Sequence, residues 1–337
     1  MNSISSLKAR KHFPVMLDQV LRICNPKNGG LFLDCTFGTG GYSNAILSFP
    51  KTKVIALDRD ENTFEFSNTL KKNYKTRFSF HNLKFSELNK VINKNSKPDF
   101  IIFDLGLSSL QISDLKRGFS FNSRSTPDMR MGLNNLTAAN ILNNFDLQTL
   151  SDIFKVFGEE KEGYKIAKNI IEFRKKSPIQ TIPDLLNIIK RSKKRDLSKK
   201  INISTKTFQA IRIFINNEVS ELIEGLIKAS QYLKKGGKII VISFHSIEDK
   251  IVKFFFTNYA KNKSRSSRYY PDFAQDKILF ENYKNKVLRA NKEELLINNP
   301  SRSAKLRYTT RSKDDFVYPI ELKKKFANYL ELESRNV

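Results

Sequence analysis

The order of short apolar runs along the chain constrains its fold more than any other feature. Four runs with strand character lie in the first third, separated by helix-length segments: residues 31–37, 54–58, 78–82 and 100–106. Such alternation is typical of parallel strands joined by right-handed helical crossovers. The sequence therefore predicts an α/β fold with a doubly wound, mainly parallel sheet.

A long interval interrupts this series. The fifth run, at residues 238–246, follows the fourth only after about 130 residues. A single crossover needs far fewer, so roughly 100 residues are inserted. Apolar residues at helical spacing fill much of the interval, which predicts a small helical domain. The expected domains are the first part of the core at 1–112, the insert at 113–204 and the second part of the core at 205–337.

The second part of the core has its own predicted elements. Apolar residues at helical spacing predict one long helix over residues 205–233, which ends before Gly236 and Gly237. A helix at 247–258 follows the fifth strand, and a last strand is expected at 305–311. These elements return the chain to the sheet after the insert.

The charge of the chain points to a polyanionic partner. Lys and Arg number 60 against 34 Asp and Glu, a formal net charge of +26. Part of this excess is compatible with a general bias towards lysine. The densest basic segment, 190–200, either makes nonspecific phosphate contacts or is a solvated face, and a further basic loop is expected at 261–271. Residues 101–150 are close to neutral. A polyanion is therefore expected at the periphery of the molecule.

No export or membrane segment is expected, because the chain has no long uncharged apolar stretch and its N-terminus lacks the features of a secretory signal. The predicted location is the cytoplasm. Cys24 and Cys35 do not have the spacing of metal ligands, and the three histidines are scattered, so no metal is expected.

A glycine-rich loop follows the first predicted strand. Residues 38–41, Gly-Thr-Gly-Gly, give a ligand close access to the backbone, and Asp58 ends the second strand where a carboxylate can bind ribose hydroxyls. A dinucleotide site would need a third glycine where Ser43 stands, whereas the carboxylate of Asp34 suits a cationic cofactor without phosphate. The pattern favours S-adenosyl-L-methionine. The alternative is a glycine turn with no ligand.

The end of the fourth predicted strand is the second candidate. Asp104 begins the segment DLGLSSLQ, and a polar, irregular stretch follows at 117–131. Ligands of open α/β sheets bind at the carboxyl ends of the strands, so we expect Asp104 to face the same crevice as Asp58. The alternative is an acid that caps a helix or braces a loop.

Six motifs, in chain order, carry a resemblance to a known family: FGTGG, DLGLSSLQ, RGFSFNSRSTPDMRM, TKTFQAIRIFINNE, ISFHSIEDKIVK and NPSRSAKLR. Together they resemble the bacterial ribosomal RNA small subunit methyltransferase H family, which is MraW-like. The resemblance implies a class I, Rossmann-like methyltransferase with an inserted helical domain. It also implies transfer of a methyl group from S-adenosyl-L-methionine to the exocyclic N4 of one cytidine in the decoding region of 16S rRNA, within a small ribosomal subunit or a late assembly particle.

The resemblance also implies the residues that bind the cofactor: Gly40, Gly41, Tyr42, Asp58, Phe85, Asp104 and Gln111. The sequence departs from the family pattern at two single residues, and the segment NISTK at 202–206 also lacks a His, a Pro and an Arg of that pattern. Tyr42 stands where a histidine is usual, and Leu110 where a proline is usual. A contact made through the backbone would survive the first change, whereas a contact specific to an imidazole would not.

Catalytic candidates follow from the chemistry of the amine. The N4 lone pair of cytosine is delocalised into the ring, so the enzyme must align the amine and accept its hydrogen bonds. Asp104 is the first candidate, and Ser108 and Ser109 are the second. His245, after the fifth strand, either faces the target base or has a structural role.

Other functional classes stay open at this point. A noncatalytic ribosome-assembly factor could retain the fold, a nicotinamide dehydrogenase would share the glycine loop, and a DNA methyltransferase would share the chemistry. The sequence does not decide between naked RNA and an assembled subunit as substrate, or between a monomer and a homodimer.

Overall fold

A computed structural model describes residues 14–93, 95–193, 202–261, 278–281 and 283–336. His12, most of the basic segment 261–271 and the second half of the segment 190–200 lie outside the described residues. No helix in the described part of the chain has the length and apolar character needed to cross a membrane.

The described strands form one six-stranded sheet: β1 Gly30–Asp34, β2 Thr52–Asp58, β3 Phe78–Asn82, β4 Phe100–Asp104, β5 Lys238–Ser243 and β6 Lys305–Thr310. Their order is β3-β2-β1-β4-β5-β6. Strands β1 to β5 pair in parallel, and β6 is antiparallel to β5. The predicted doubly wound, mainly parallel sheet is confirmed.

The α-helices of the described residues are α1 Leu17–Cys24, α2 Gly41–Leu47, α3 Phe64–Tyr74, α4 Ser109–Ser113, α5 Ala138–Asn144, α6 Leu147–Gly158, α7 Gly163–Arg174, α8 Ile182–Ser192, α9 Thr205–Asn216, α10 Glu218–Tyr232, α11 Ser246–Asn258, α12 Lys292–Ile297, α13 Ile320–Lys325 and α14 Ala327–Glu333. Several begin at a side-chain cap. Thr137 before α5 and Thr181 before α8 each accept a hydrogen bond from the third backbone N–H of their helix, as capping boxes do.

One face of the sheet carries the candidate acids. Phe32, Ala56 and Ile102 belong to the apolar core that packs against helices α1 and α2. Side chains alternate between faces along a strand, so Asp34, Asp58 and Asp104, each two residues further on, lie on the same face at the carboxyl ends of β1, β2 and β4. The sheet therefore ends in a row of carboxylates.

Two compact units divide the chain. The first, Met1–Gly106 with Glu221–Lys325, contains the sheet. The second, Leu107–Ser220 with Phe326–Val337, is helical. It includes more residues than the predicted insert of 113–204. Helix α9 belongs to it because Phe214 packs against Phe157 of α6, with ring centroids 6.3 Å apart. The C-terminal helix α14 joins the same unit through Tyr329, whose ring lies 5.9 Å from that of Phe157.

The long helix predicted over residues 205–233 is wrong in one respect. Asn217 adopts the left-handed conformation, with φ of 50°, and separates α9 from α10. Asparagine tolerates this region better than most residues, so it ends a helix at low cost. Apolar residues continue at helical spacing on both sides of Asn217, and for this reason the pattern alone does not reveal the break.

Candidate active site

Asp34 at the end of β1 is fully buried and already bonded. The Ser43 hydroxyl donates to Oδ2 at 2.7 Å, and the Thr36 N–H donates to Oδ1 at 3.3 Å. Burial raises the pKa of Asp34 to about 6 in spite of these hydrogen bonds. The carboxylate thereby joins the strand to the first turn of α2.

Gly40 and Gly41 of the glycine-rich loop are packed closely against neighbouring side chains. Gly40 has a φ of 78°, and a Cβ there would lie 2.8 Å from the ring of Phe37. A Cβ on Gly41 would lie 2.2 Å from Cγ of Pro14. Both positions therefore exclude a side chain for steric reasons that exist without a ligand.

The side chain of Tyr42 packs into the core of the first unit. The ring is buried among apolar core residues, with 3% of its surface exposed, and the hydroxyl donates a hydrogen bond to the Val15 carbonyl. Burial raises the pKa of the Tyr42 phenol well above its usual value. The histidine usual in the family is thus replaced by a residue that packs inward.

Asp58 at the end of β2 is held in place by two backbone N–H groups. Gly38 donates to Oδ2 at 2.7 Å and Asp60 donates to Oδ1 at 2.9 Å. Desolvation raises the pKa of Asp58 to about 6, although both hydrogen bonds favour the charged form. The residue as a whole is half-buried.

Asp104 differs from the other two acids. Its backbone N–H donates to the Thr36 hydroxyl at 2.7 Å, but its Oδ1 is buried and makes no hydrogen bond to any described residue. Burial raises the pKa of Asp104 well above its usual value, and the charges of Asp34 and Glu248 add to the effect. A buried acceptor without a partner is costly, so the position is suited to a hydrogen-bond donor or a cation from a ligand.

Phe85 begins the 3₁₀ turn after β3 and has a fixed packing environment. Its ring meets that of Phe103 edge to face, with centroids 5.5 Å apart. A Cβ on Gly225 of α10 would lie 2.7 Å from the Phe85 ring, so the glycine leaves room for it. The ring is therefore firmly positioned next to β4.

His245 is the N-cap of α11. Its Nδ1 accepts from the Glu248 N–H at 3.5 Å, and its Nε2 lies 3.0 Å from Glu248 Oε1. The other Glu248 oxygen accepts from the N–H groups of Phe244 and His245 at 2.7 and 3.2 Å. His245 thus caps α11, and the spacing His-x-x-Glu is the sequence signal of this cap. Its Nε2 is buried and makes no hydrogen bond to a described residue.

Ser108, Ser109 and Gln111 belong to the second unit. Ser108 Oγ accepts from the Gln111 N–H at 3.3 Å, and Gln111 Oε1 accepts from the Ser108 N–H at 3.0 Å, which forms a capping box at α4. Gln111 Nε2 also donates to the Met131 carbonyl at 3.3 Å. Ser109 is the half-buried first residue of the helix.

The residue that sequence reasoning missed is Asn216 of α9. Its buried side chain accepts from the Met131 N–H at 2.7 Å and from Asn134 Nδ2 at 2.8 Å, and it donates to the Met129 carbonyl at 2.8 Å. It therefore anchors the end of the polar segment 117–131 within the second unit. It lies within the motif TKTFQAIRIFINNE, but the motif does not reveal these contacts, because Met129, Met131 and Asn134 are more than eighty residues away in the chain.

Known proteins similar to this chain agree on one family. The sequence profile of the MraW methylase family matches residues 9–312. A protein of Ehrlichia canis (strain Jake) named ribosomal RNA small subunit methyltransferase H is 40% identical over 299 residues, which cover 88% of this chain and 98% of that protein. A protein of the same name from Rickettsia prowazekii (strain Madrid E) is 41% identical over 302 residues, with 88% and 97% covered.

A solved structure of an rRNA methylase from Streptococcus thermophilus is also similar, with a TM-score of 0.39 and 9% identity over 87% of this chain and 96% of that one. The family resemblance seen in the motifs is confirmed by the sequence matches, which also decide against a nicotinamide dehydrogenase. The chain therefore belongs to the MraW methylase family.

Proposed function

We propose that this protein transfers a methyl group from S-adenosyl-L-methionine to the exocyclic N4 of a cytidine in the decoding region of 16S rRNA. We place the reaction in the cytoplasm, on a small ribosomal subunit or a late assembly particle. The observation that carries the proposal is the buried, unpartnered oxygen of Asp104 on the sheet edge that also carries Asp58. The names of the relatives support rRNA as the substrate.

The charges at this edge fit the proposed cofactor. Asp34, Asp58 and Asp104 end three neighbouring strands, and no basic side chain hydrogen-bonds to them among the described residues. A pyrophosphate would be repelled there, whereas a sulfonium and an amino group would be attracted. S-adenosyl-L-methionine, when bound, supplies an electrophilic methyl group on a positively charged sulfur.

We assign the binding contacts to Gly40, Gly41, Tyr42, Asp58, Phe85, Asp104 and Gln111. Each carboxylate oxygen of Asp58 accepts one hydrogen bond from a backbone N–H, which fixes the orientation of the side chain. Each oxygen therefore has a further lone pair that can accept a hydrogen bond from a ribose hydroxyl. Tyr42 would contribute through its backbone, since its ring packs in the core. The packed ring of Phe85 would provide a rigid apolar wall.

Asp104 is our candidate for orienting the amine. Its free acceptor would take a hydrogen bond from N4–H, which fixes the amine and draws electron density towards the nitrogen. Loss of the proton after transfer needs no strong base, because an N-methylated ammonium-like product is acidic. Ser108, Ser109 and His245 stay secondary candidates, and Ser108 and His245 also cap helices.

The test is a labelling experiment. The protein is incubated with S-adenosyl-L-methionine carrying a labelled methyl group and with small subunits from a strain that lacks this activity, and the RNA is then digested to nucleosides. We expect label in N4-methylcytidine at one position. Label in another nucleoside, or none in any fraction, would contradict the proposal and favour the assembly factor or another substrate.

Asp104→Asn tests the assigned residue in the same assay. We expect the rate to fall by about a hundredfold or more, as for loss of a key electrostatic contact. Asp114→Asn changes an exposed acid ten residues further on and is the matched control. Cofactor affinity is measured separately by calorimetry. An unchanged rate in Asp104→Asn at saturating cofactor would remove the catalytic role from Asp104.

A further inference from the structure

The strongest charged surface of the described chain outside the candidate active site lies on helices α7 and α8 of the second unit. Residues 163–193 contain eight basic residues and two acidic ones. Arg174 and Lys193 have internal partners, the Leu142 carbonyl and Glu160. The other six are exposed and define the α7–α8 basic face: Lys165, Lys168, Lys175, Lys176, Lys190 and Arg191.

The spacing of these residues places them together. Lys165, Lys168, Glu172 and Lys175 follow one another at three or four residues, so they share one side of α7 and its last turn. Lys175 pairs with Glu172 at 2.9 Å. This ammonium lowers the pKa of Glu172, and the charges of Lys168 and Lys176 add to the effect. A single carboxylate thus stands within a row of four lysines.

Helix α8 extends the same face. Asn169 Nδ2 donates to the Ser192 hydroxyl at 2.7 Å, which holds the end of α8 beside the middle of α7. Lys190 and Arg191 directly precede Ser192 in the last turn of α8. Together with Lys165, Lys168 and Lys176, they make no ion pair within the described part of the chain. Charges left in water without partners are available to an external anion.

An aromatic side chain accompanies the charges. Tyr164, in the first turn of α7, is 49% exposed, and the Lys155 ammonium lies 5.8 Å from the centroid of its ring. Lys168 stands four residues further along the same helix. Cations contact phosphates, while an exposed aromatic ring stacks on an unpaired base. A membrane surface or an acidic peptide would use the charges but would not need the exposed ring.

We infer that the α7–α8 basic face with Tyr164 is a binding surface for single-stranded RNA, in which the lysines contact phosphates and Tyr164 stacks on a base. The inference rests on the proposed function and adds the surface by which the substrate is held. It assigns this task to the helical unit. The surface contributes affinity and gives little sequence specificity.

The test measures binding of a labelled poly(U) oligonucleotide, without cofactor, over a range of salt concentrations. The first variant is Lys165→Gln/Lys168→Gln/Lys176→Gln, and its control is Lys71→Gln/Lys72→Gln/Lys75→Gln, three exposed lysines on and after α3 of the first unit. We expect the slope of log affinity against log salt to fall by about 2 in the first variant, at roughly 0.7 per lost phosphate contact. The control should leave the slope unchanged.

The second variant is Tyr164→Ala. We expect an affinity loss of about fivefold or more with an unchanged salt slope, because stacking is not electrostatic. Tyr318→Ala is its control, since Tyr318 is 44% exposed in the first unit and also has a lysine, Lys323, 5.6 Å from its ring centroid. All variants change exposed residues, and thermal unfolding verifies that each is folded.

Three outcomes would overturn the inference. The α7 variant and its control could lose affinity equally, which would mean a general charge effect. Both α7 variants could bind RNA like the original protein. The face could instead bind phosphatidylglycerol vesicles more tightly than RNA with the same dependence on the lysines. The binding test contains no cofactor, so it is independent of the methylation assay. A failed methylation assay would refute the proposed function but would leave the RNA-binding inference standing. A failed binding test would refute the RNA-binding inference but would leave the proposed function standing.

Discussion

Asp104 has a property that its neighbours at the sheet edge lack. Asp34 and Asp58 each accept hydrogen bonds on both oxygens, whereas Oδ1 of Asp104 has no partner among the described residues. Its burial and the nearby charges favour the protonated form. Burial therefore raises the pKa of Asp104 in the free protein, and a cation bound beside it would lower that pKa again and favour release of the proton.

This residue leads to a prediction about binding. We expect binding of S-adenosyl-L-methionine to release more protons than binding of S-adenosylhomocysteine, whose sulfur is uncharged. Affinity for the first ligand should accordingly rise more steeply with pH below the pKa of Asp104 in the free protein. Calorimetry in two buffers of different ionisation enthalpy counts the protons. Asp104→Asn should abolish the difference between the ligands, and equal proton release in the original protein would contradict the prediction.

A carboxylate from a distant part of the chain caps the N-terminus of helix α10. Glu333 of α14 is almost fully buried and accepts from the N–H groups of Val219 and Ser220 at 2.9 and 2.8 Å, in the first turn of α10. A carboxylate near a helix N-terminus is favourable. Burial nevertheless dominates and raises the pKa of Glu333 to about 7.

The raised pKa gives the direction of a pH effect. The native state binds the Glu333 proton more tightly than the unfolded state does, so protonation of Glu333 stabilises the folded protein. This stabilisation is complete below the ordinary pKa of glutamate and is lost as pH rises through about 7. The free energy of unfolding, relative to Glu333→Gln, should therefore fall by about 3 kcal/mol between acidic and alkaline pH. Chemical denaturation at several pH values measures it.

Glu331→Gln is the matched control for this measurement, because Glu331 lies on the same helix and is exposed. The difference in the free energy of unfolding between Glu331→Gln and the original protein should stay constant from acidic to alkaline pH. A Glu333→Gln difference that is constant from acidic to alkaline pH would show that the carboxyl does not titrate in this range.

At the scale of the whole molecule, the C-terminal segment stands out. The family profile ends at residue 312, yet the chain continues to residue 337. Helix α13 of this segment buries Leu322 in the first unit, and α14 buries Leu332 and Glu333 in the second. The extra residues are thus part of the packing of each unit.

Truncation after Ser312 tests this role. Loss of the buried side chains Leu322, Phe326 and Leu332, at about 1.5–3 kcal/mol each, should lower the melting temperature by several degrees. Truncation after Glu333 keeps both helices and the cap and is the control. Equal melting temperatures for the full chain and the protein truncated after Ser312 would mean that the segment contributes nothing to stability.

Local patterns were sufficient for much of the fold and part of the candidate site. The strands β1 to β5 were predicted because buried parallel strands are short apolar runs. The acids Asp34, Asp58 and Asp104 were found because strand ends determine where ligands can bind in such a sheet. The expected ends of β1 and β4 were two or three residues too late, since apolar residues continue into the loops.

The sequence by itself determined the sheet, the family and the row of acids, because all three depend on residue types at fixed short spacings. Only the tertiary structure decided the break at Asn217, the contacts of Asn216 with Met129, Met131 and Asn134, and the cap from Glu333. It also decided that Asp104 keeps an acceptor without a partner. The physical reason is that a partner for a buried polar group is set by contacts between distant segments, which no local spacing records.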